Sequence, residues 1–96
     1  RGARLTVRPW IKICGLTTPA AVAAAVESRV EAVGFVFHAA SPRNLAPRAA
    51  AALAREVPRE ILRVAVARHP AQALVDEIAA ELRPDLLQTD LEDYAR

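Results

Sequence analysis

Residues 8–20 read RPWIKICGLTTPA. Trp10 to Cys14 is an alternating run of bulky residues, which predicts a strand. Gly15 breaks it. Thr17 and Thr18 then precede Pro19. Thr18 is placed to cap a helix, and proline suits the first helical position because its missing N–H has no intrahelical partner to lose there. A helix over 20–28 follows, with Val22, Ala25 and Val26 on one face at i, i+3 and i+4. Strand, glycine, cap and helix make one βα unit.

The same unit recurs downstream. Ala32 to Phe37 (AVGFVF) is a short, continuous apolar run, read as a buried strand. Ser41-Pro42-Arg43-Asn44 is a loop. Pro47 starts a second helix running to about Glu56, with Ala49, Ala50, Leu53, Ala54 and Val57 as its inward stripe. Ala46, at its cap position, offers no capping oxygen. Pro58 ends that helix, and Leu62 to Ala67 (LRVAVA) is a third strand. Pro70 opens a third helix with Leu74, Val75, Ile78 and Leu82 as its stripe, and Pro84 ends it. Leu86 to Gln88 is a short fourth strand, and Leu91 to Arg96 begins another helix. This order, βαβαβαβ at intervals of roughly 20–30 residues, means parallel strands joined by right-handed crossovers. Four such strands form either a small open α/β sheet or half of a (β/α)8 TIM-type barrel. A whole barrel takes about 250 residues, and the chain has 96.

Composition narrows the function. Hydrophobic residues make up 53% of the chain, which is a globular and not a disordered composition. The net charge of +2 suits an anionic small molecule. Aromatics are only 4%, too few for the stacking platform of a single-strand nucleic-acid binder. No apolar run approaches the roughly 20 residues that a membrane span needs. A lone cysteine forms no internal disulfide, which fits a reducing cytoplasm. The three glycines are too dispersed for a phosphate loop, and His69 has no metal-spaced partner, so no metal site is expected there.

The single thiol, Cys14, falls at the carboxyl end of the first strand. That is the end where parallel α/β units bind ligands. Alternation puts Lys12 and Cys14 on one strand face and Ile11 and Ile13 on the other. The isoleucines are expected to face the helices, leaving Lys12 and Cys14 toward the barrel interior, where a lysine needs a polar partner. From position alone, a small buried hydrophobe is the commoner use of such a cysteine.

IKICGLTTP (Ile11 to Pro19), AVGFVF and SPR (Ser41 to Arg43) together resemble the N-terminal half of phosphoribosylanthranilate isomerase, a cofactor-free (β/α)8 barrel of tryptophan biosynthesis. The resemblance runs from Trp10 to Gln88. It implies that residues 1–96 are the N-terminal half of one barrel domain, with residues 1–8 as a leader or disordered extension. It implies an Amadori rearrangement of N-(5-phosphoribosyl)anthranilate to 1-(2-carboxyphenylamino)-1-deoxyribulose 5-phosphate. An acid protonates the ribose ring oxygen and a base removes the C2′ proton. Cys14 would be that base, and a thiolate is competent for it near neutral pH. Arg43 would hold the anthranilate carboxylate with its planar fork. Lys12 and Gln88 complete the expected substrate-binding set, Lys12 being at least as well suited to a structural role.

The resemblance also implies what lies elsewhere. The family's general acid is an aspartate in the second half of the barrel, and its phosphate site comes from the late βα loops. Asp85, Asp90 and Asp93 do not match the acid's motif. QTDLED (Gln88 to Asp93) departs from the family's pattern after strand four, and only Gln88 matches. Ala65 and Ala67 stand where a glycine and a phenylalanine are common. Arg68-His69 replaces an apolar–asparagine pair, and Arg29 replaces a helix-ending glycine. His38 and Ser41 are read as loop residues, Ser41 starting the Ser-Pro turn. Asp76, Glu77 and Glu81 are read as the solvated face of the third helix. Two rivals remain open: a half-barrel without catalysis of its own that associates with itself or with another half, and a small anion-binding module built on Arg43.

Overall fold

The computed structural model describes residues 10–89. The leader expected over 1–8 and the helix expected from Leu91 to Arg96 lie outside the described residues. The elements are β1 (Lys12–Cys14), α1 (Pro19–Glu27), β2 (Ala32–Phe37), α2 (Pro47–Ala54), β3 (Leu62–Ala67), α3 (Gln72–Glu81) and β4 (Leu86–Gln88). The strands form one parallel sheet in the order β1-β2-β3-β4.

That order decides between the two architectures. Right-handed crossovers between strands added always on the same side put every helix on one face of the sheet. A doubly wound sheet reverses its strand order and covers both faces. A sequential sheet with helices on one side is a segment of a barrel. The sheet also curls. Lys12 on β1 donates a hydrogen bond to Gln88 Oε1 on β4. In a flat sheet those strands would stand about 14 Å apart, at ~4.8 Å per strand, beyond easy reach for the two side chains. The fold is a four-strand TIM-type half-barrel.

The core lies between the sheet's outer face and the helices. Val33, Phe35 and Phe37 of β2 and Ala65 and Ala67 of β3 are buried there. Register pairs Phe35 with Ala65 and Phe37 with Ala67. Each ring therefore lies beside a small neighbour, and the volume that Ala65 and Ala67 leave is filled by β2. Val22 of α1 and Ile78 of α3 are fully buried against this layer. Thr18 caps α1 as the sequence predicts, its hydroxyl accepting from Ala21 N at 3.1 Å.

Several expectations change. β1 begins at Lys12 and not at Trp10, because Ile11 is engaged elsewhere: its N–H donates to Glu31 Oε1 at 2.8 Å, and Glu31 N returns a bond to Ile11 O at 2.9 Å. The same two-way clamp joins β3 to β4. Arg63 N donates to Asp85 Oδ2 and Asp85 N to Arg63 O, both at 2.8 Å. α2 stops at Ala54 and not Glu56. Its end is taken by the Arg63 guanidinium, which donates to Ala54 O at 3.3 Å and Val57 O at 2.9 Å. Ala54 O also accepts from Val57 N at 3.0 Å, which closes the turn after the helix, and a cation suits a helix C-terminus. Ala49 is exposed and leaves the inward stripe. α3 starts at Gln72, two residues after Pro70.

Ile11 and Ile13 do not pack under a helix. Both are exposed, together with Trp10, Leu86 and Leu87. All five lie on or beside β1 and β4, the strands paired on one side only. Leu86 is 50% exposed and Trp10 56%, values that mark an apolar surface built to be covered.

Arg29 follows the end of α1 with φ +57°. This is the left-handed position that glycine adopts without a Cβ penalty. Arg29→Gly is expected to stabilise the chain by roughly 0.5–1 kcal/mol, read as a rise of a few degrees in the thermal melt by circular dichroism. A lower melting temperature would mean that the arginine side chain contributes more than its backbone strain costs.

Candidate active site

Cys14 ends β1 with its thiol exposed, so it is not a small buried hydrophobe. Register sets it beside Gly34 of β2. A Cβ added at Gly34 would come within 2.9 Å of Cys14 Sγ. Glycine at 34 is therefore what makes room for the sulfur on the inner face. Gly34 O then accepts from Gly15 N at 3.0 Å and from Leu16 N at 3.3 Å. These bonds turn the chain away from the sheet directly after the cysteine. Gly15 has φ +84°, a conformation that favours glycine.

Gly15 has a second duty. The Arg43 side chain passes across it, and a Cβ built there would overlap Arg43 Cδ. The loop after β2 delivers that arginine. Leu45 N donates to Val36 O at 3.0 Å, which ties the loop back to the strand. Ser41 Oγ accepts from Arg43 N at 3.0 Å, and Ser41 O accepts from Asn44 N at 3.1 Å. Ser41 thus builds the turn, as its sequence reads. Two strands and one loop bring Cys14 and Arg43 to the same end of the sheet through adjoining glycines.

Lys12 and Gln88 form a second group on the inner face. Their mutual hydrogen bond gives Lys12 the polar partner that its position requires. Gln88 lines two clefts. One, of about 400 Å³, is bordered by Trp10, Lys12, Val64 and Leu86. The other, of about 210 Å³, is bordered by Val36, His38, Ser41 and Arg68 at the carboxyl end. His38, read from its position as a loop residue, borders the second of these clefts. Among the described residues no three metal-ligating side chains cluster, and no helix is long and apolar enough to cross a membrane.

Residues 11–90 match the family described as N-(5'phosphoribosyl)anthranilate (PRA) isomerase. The chain belongs to the PRA isomerase family. It is 49% identical over 78 residues to the N-(5'-phosphoribosyl)anthranilate isomerase of Caulobacter vibrioides, covering 80% of this chain and 36% of that protein. TrpF from Jonesia denitrificans superposes with a TM-score of 0.77 at 36% identity, over 83% of this chain and 39% of that one. A phosphoribosyl anthranilate isomerase in complex with reduced 1-(o-carboxyphenylamino)-1-deoxyribulose 5-phosphate superposes with a TM-score of 0.76 at 32% identity, over 81% of this chain and 40% of that one. The chain spans between a third and two fifths of the length of these PRA isomerases.

Gly34 is the site residue that sequence reasoning passed over. A glycine inside an otherwise apolar strand marks a close approach, and only the β1–β2 register shows that Cys14 is what approaches. Gly34→Ala is expected to cost about 1–3 kcal/mol by overpacking. Adding Cys14→Ala should return part of that loss. The two changes would then be non-additive in urea melts. Strict additivity would show that the sulfur does not occupy the space above residue 34.

Proposed function

We propose that this chain supplies the first four βα units of a phosphoribosylanthranilate isomerase and two groups of its reacting site. Cys14, as the thiolate, removes the C2′ proton of the substrate. Arg43 holds the anthranilate carboxylate through its planar fork. The observation that carries this reading is the pair of glycines: Gly34 makes room for Cys14, and Gly15 lets Arg43 cross immediately beside it. A base and a carboxylate clamp placed side by side suit a substrate whose amine-bearing carbon and benzoate lie close together. The acid that protonates the ring oxygen and the site for the 5-phosphate come from the part of the barrel beyond these four strands. Lys12 and Gln88 hold the floor of the site through their bond, with Gln88 facing substrate from both clefts. No cofactor enters this chemistry. The reaction is a cytoplasmic step, and the substrate is a small phosphosugar.

The exposed apolar residues of β1 and β4 support a further element of the proposal. Unpaired parallel edges seek strands, so this segment works joined to the remainder of a barrel. The test is to combine the chain with the complementary C-terminal part of the Caulobacter vibrioides relative and follow loss of phosphoribosylanthranilate. Turnover is expected in the assembled form. Cys14→Ser should lower kcat by roughly 10²-fold or more. Arg43→Gln should act mainly on KM, by about tenfold or more, as expected for a lost charged hydrogen bond. Wild-type turnover by the Cys14→Ser assembly would remove the thiol from the mechanism.

A further inference from the structure

A cleft of about 440 Å³ opens at the amino-terminal end of the sheet, between the C-terminal ends of α2 and α3. It lies at the opposite end of the strands from Cys14. Arg55, Arg59, Arg63 and Arg83 line it, with Glu81 as the one acid among the lining residues. Four positive charges against one negative leave +3, more than the +2 of the entire chain. Counting Asp85, whose carboxylate accepts from the Arg63 backbone N–H, still leaves +2. The charge is local to this cleft. A neighbouring cleft at the same end is lined by Arg29, Glu31 and Glu60 and is net −1.

Only Arg63 of the four is held by structural pairing. Arg55, Arg59 and Arg83 make no side-chain hydrogen bond or ion pair with another described residue. They come from three separate segments: the end of α2, the loop before β3, and the end of α3. Arg83 occupies a left-handed position, φ +53°, just before Pro84. Glycine would sit there without strain. The carbonyl ends of α2 would repel an anion, but the Arg63 guanidinium already covers Ala54 O and Val57 O. That leaves the guanidinium forks of Arg55, Arg59 and Arg83, with Glu81 as the one lining acid, around a space large enough for a small ligand.

We propose that this cleft binds a small oligophosphate, an anion with two or more adjacent phosphate groups. Planar forks match phosphate oxygens in pairs. Three of them approaching from different segments match an extended anion with two phosphate centres better than a single one. The volume falls within the range of small-molecule sites, about 300–1,000 Å³. The site shares no residue with the Cys14–Arg43 group, so it stands or falls independently of the isomerase reading.

The test is calorimetric titration of the chain with pyrophosphate at low salt, beside inorganic phosphate. One site is expected, with inorganic phosphate bound roughly tenfold more weakly and the affinity falling as salt screens the exposed forks. The variant Arg59→Gln with Arg83→Gly is expected to weaken pyrophosphate binding by at least about tenfold, on the scale of one or two lost charged hydrogen bonds. Arg83→Gly relieves the left-handed strain, so this variant should melt no lower than the parent. Arg43→Gln should leave binding unchanged. Absence of pyrophosphate binding at millimolar concentration would overturn the proposal, as would undiminished binding by the double variant. Loss of binding in Arg43→Gln would move the anion to the other end of the sheet and overturn it too. Equal affinity for the two anions would overturn the oligophosphate assignment.

Discussion

The strand order is the constraint on which the rest of the molecule depends. Four parallel strands added in sequence, with the right-handed crossovers that such units adopt, place the three described helices on one face. Among the described residues no helix covers the other face, which curls inward, close enough for Lys12 to reach Gln88. The two faces therefore carry different chemistry. The outer face takes the phenylalanines of β2 and the alanines of β3. The inner face sets Lys12, Cys14, Gly34 and Gln88 among Val36, Val64, Val66 and Leu86.

The two ends of the sheet are divided in the same way. At the amino-terminal end, acids that precede β2 and β4 clamp the start of the preceding strand, and Arg63 closes α2. These contacts hold strands in register and helices at their ends. At the carboxyl end, glycines replace side chains so that functional groups can approach the backbone and one another. In a barrel the carboxyl end is the one that does chemistry. Bulk is kept at left-handed positions that glycine would fill more easily at both ends, at Arg29 and Arg83 and, after β3, at His69.

Much of this was legible in the residues. β2, β3 and β4 fall where their apolar runs place them, most plainly β2, because a short buried strand leaves an uninterrupted signature. The cap of α1 was equally plain in Thr18 and Pro19. The edges were not. Ile11 leaves β1 because a glutamate twenty residues away takes its N–H, and α2 ends early because an arginine on the next strand holds its carbonyls. Such endings are tertiary events with no local trace. Cys14 and Arg43 were recognisable from their motifs, yet their adjacency was not, because it depends on the β1–β2 register and on a loop crossing Gly15. The exposure of Ile13 was hidden for the opposite reason. Its pattern is that of a covered strand, and among the described residues nothing covers it.

The central claim of the proposal is that Gly15 lets Arg43 cross beside the thiol, so that an aromatic carboxylate held by the arginine covers Cys14. The chain has a single cysteine, so its alkylation rate by iodoacetamide reports on Cys14 alone. The most direct measurement is that rate with and without saturating anthranilate, in the parent chain and in Arg43→Gln. The expected result is slowed alkylation in the parent and none of that protection in Arg43→Gln. Equal protection in both chains, or none in the parent, would contradict the claim and separate the arginine from the thiol.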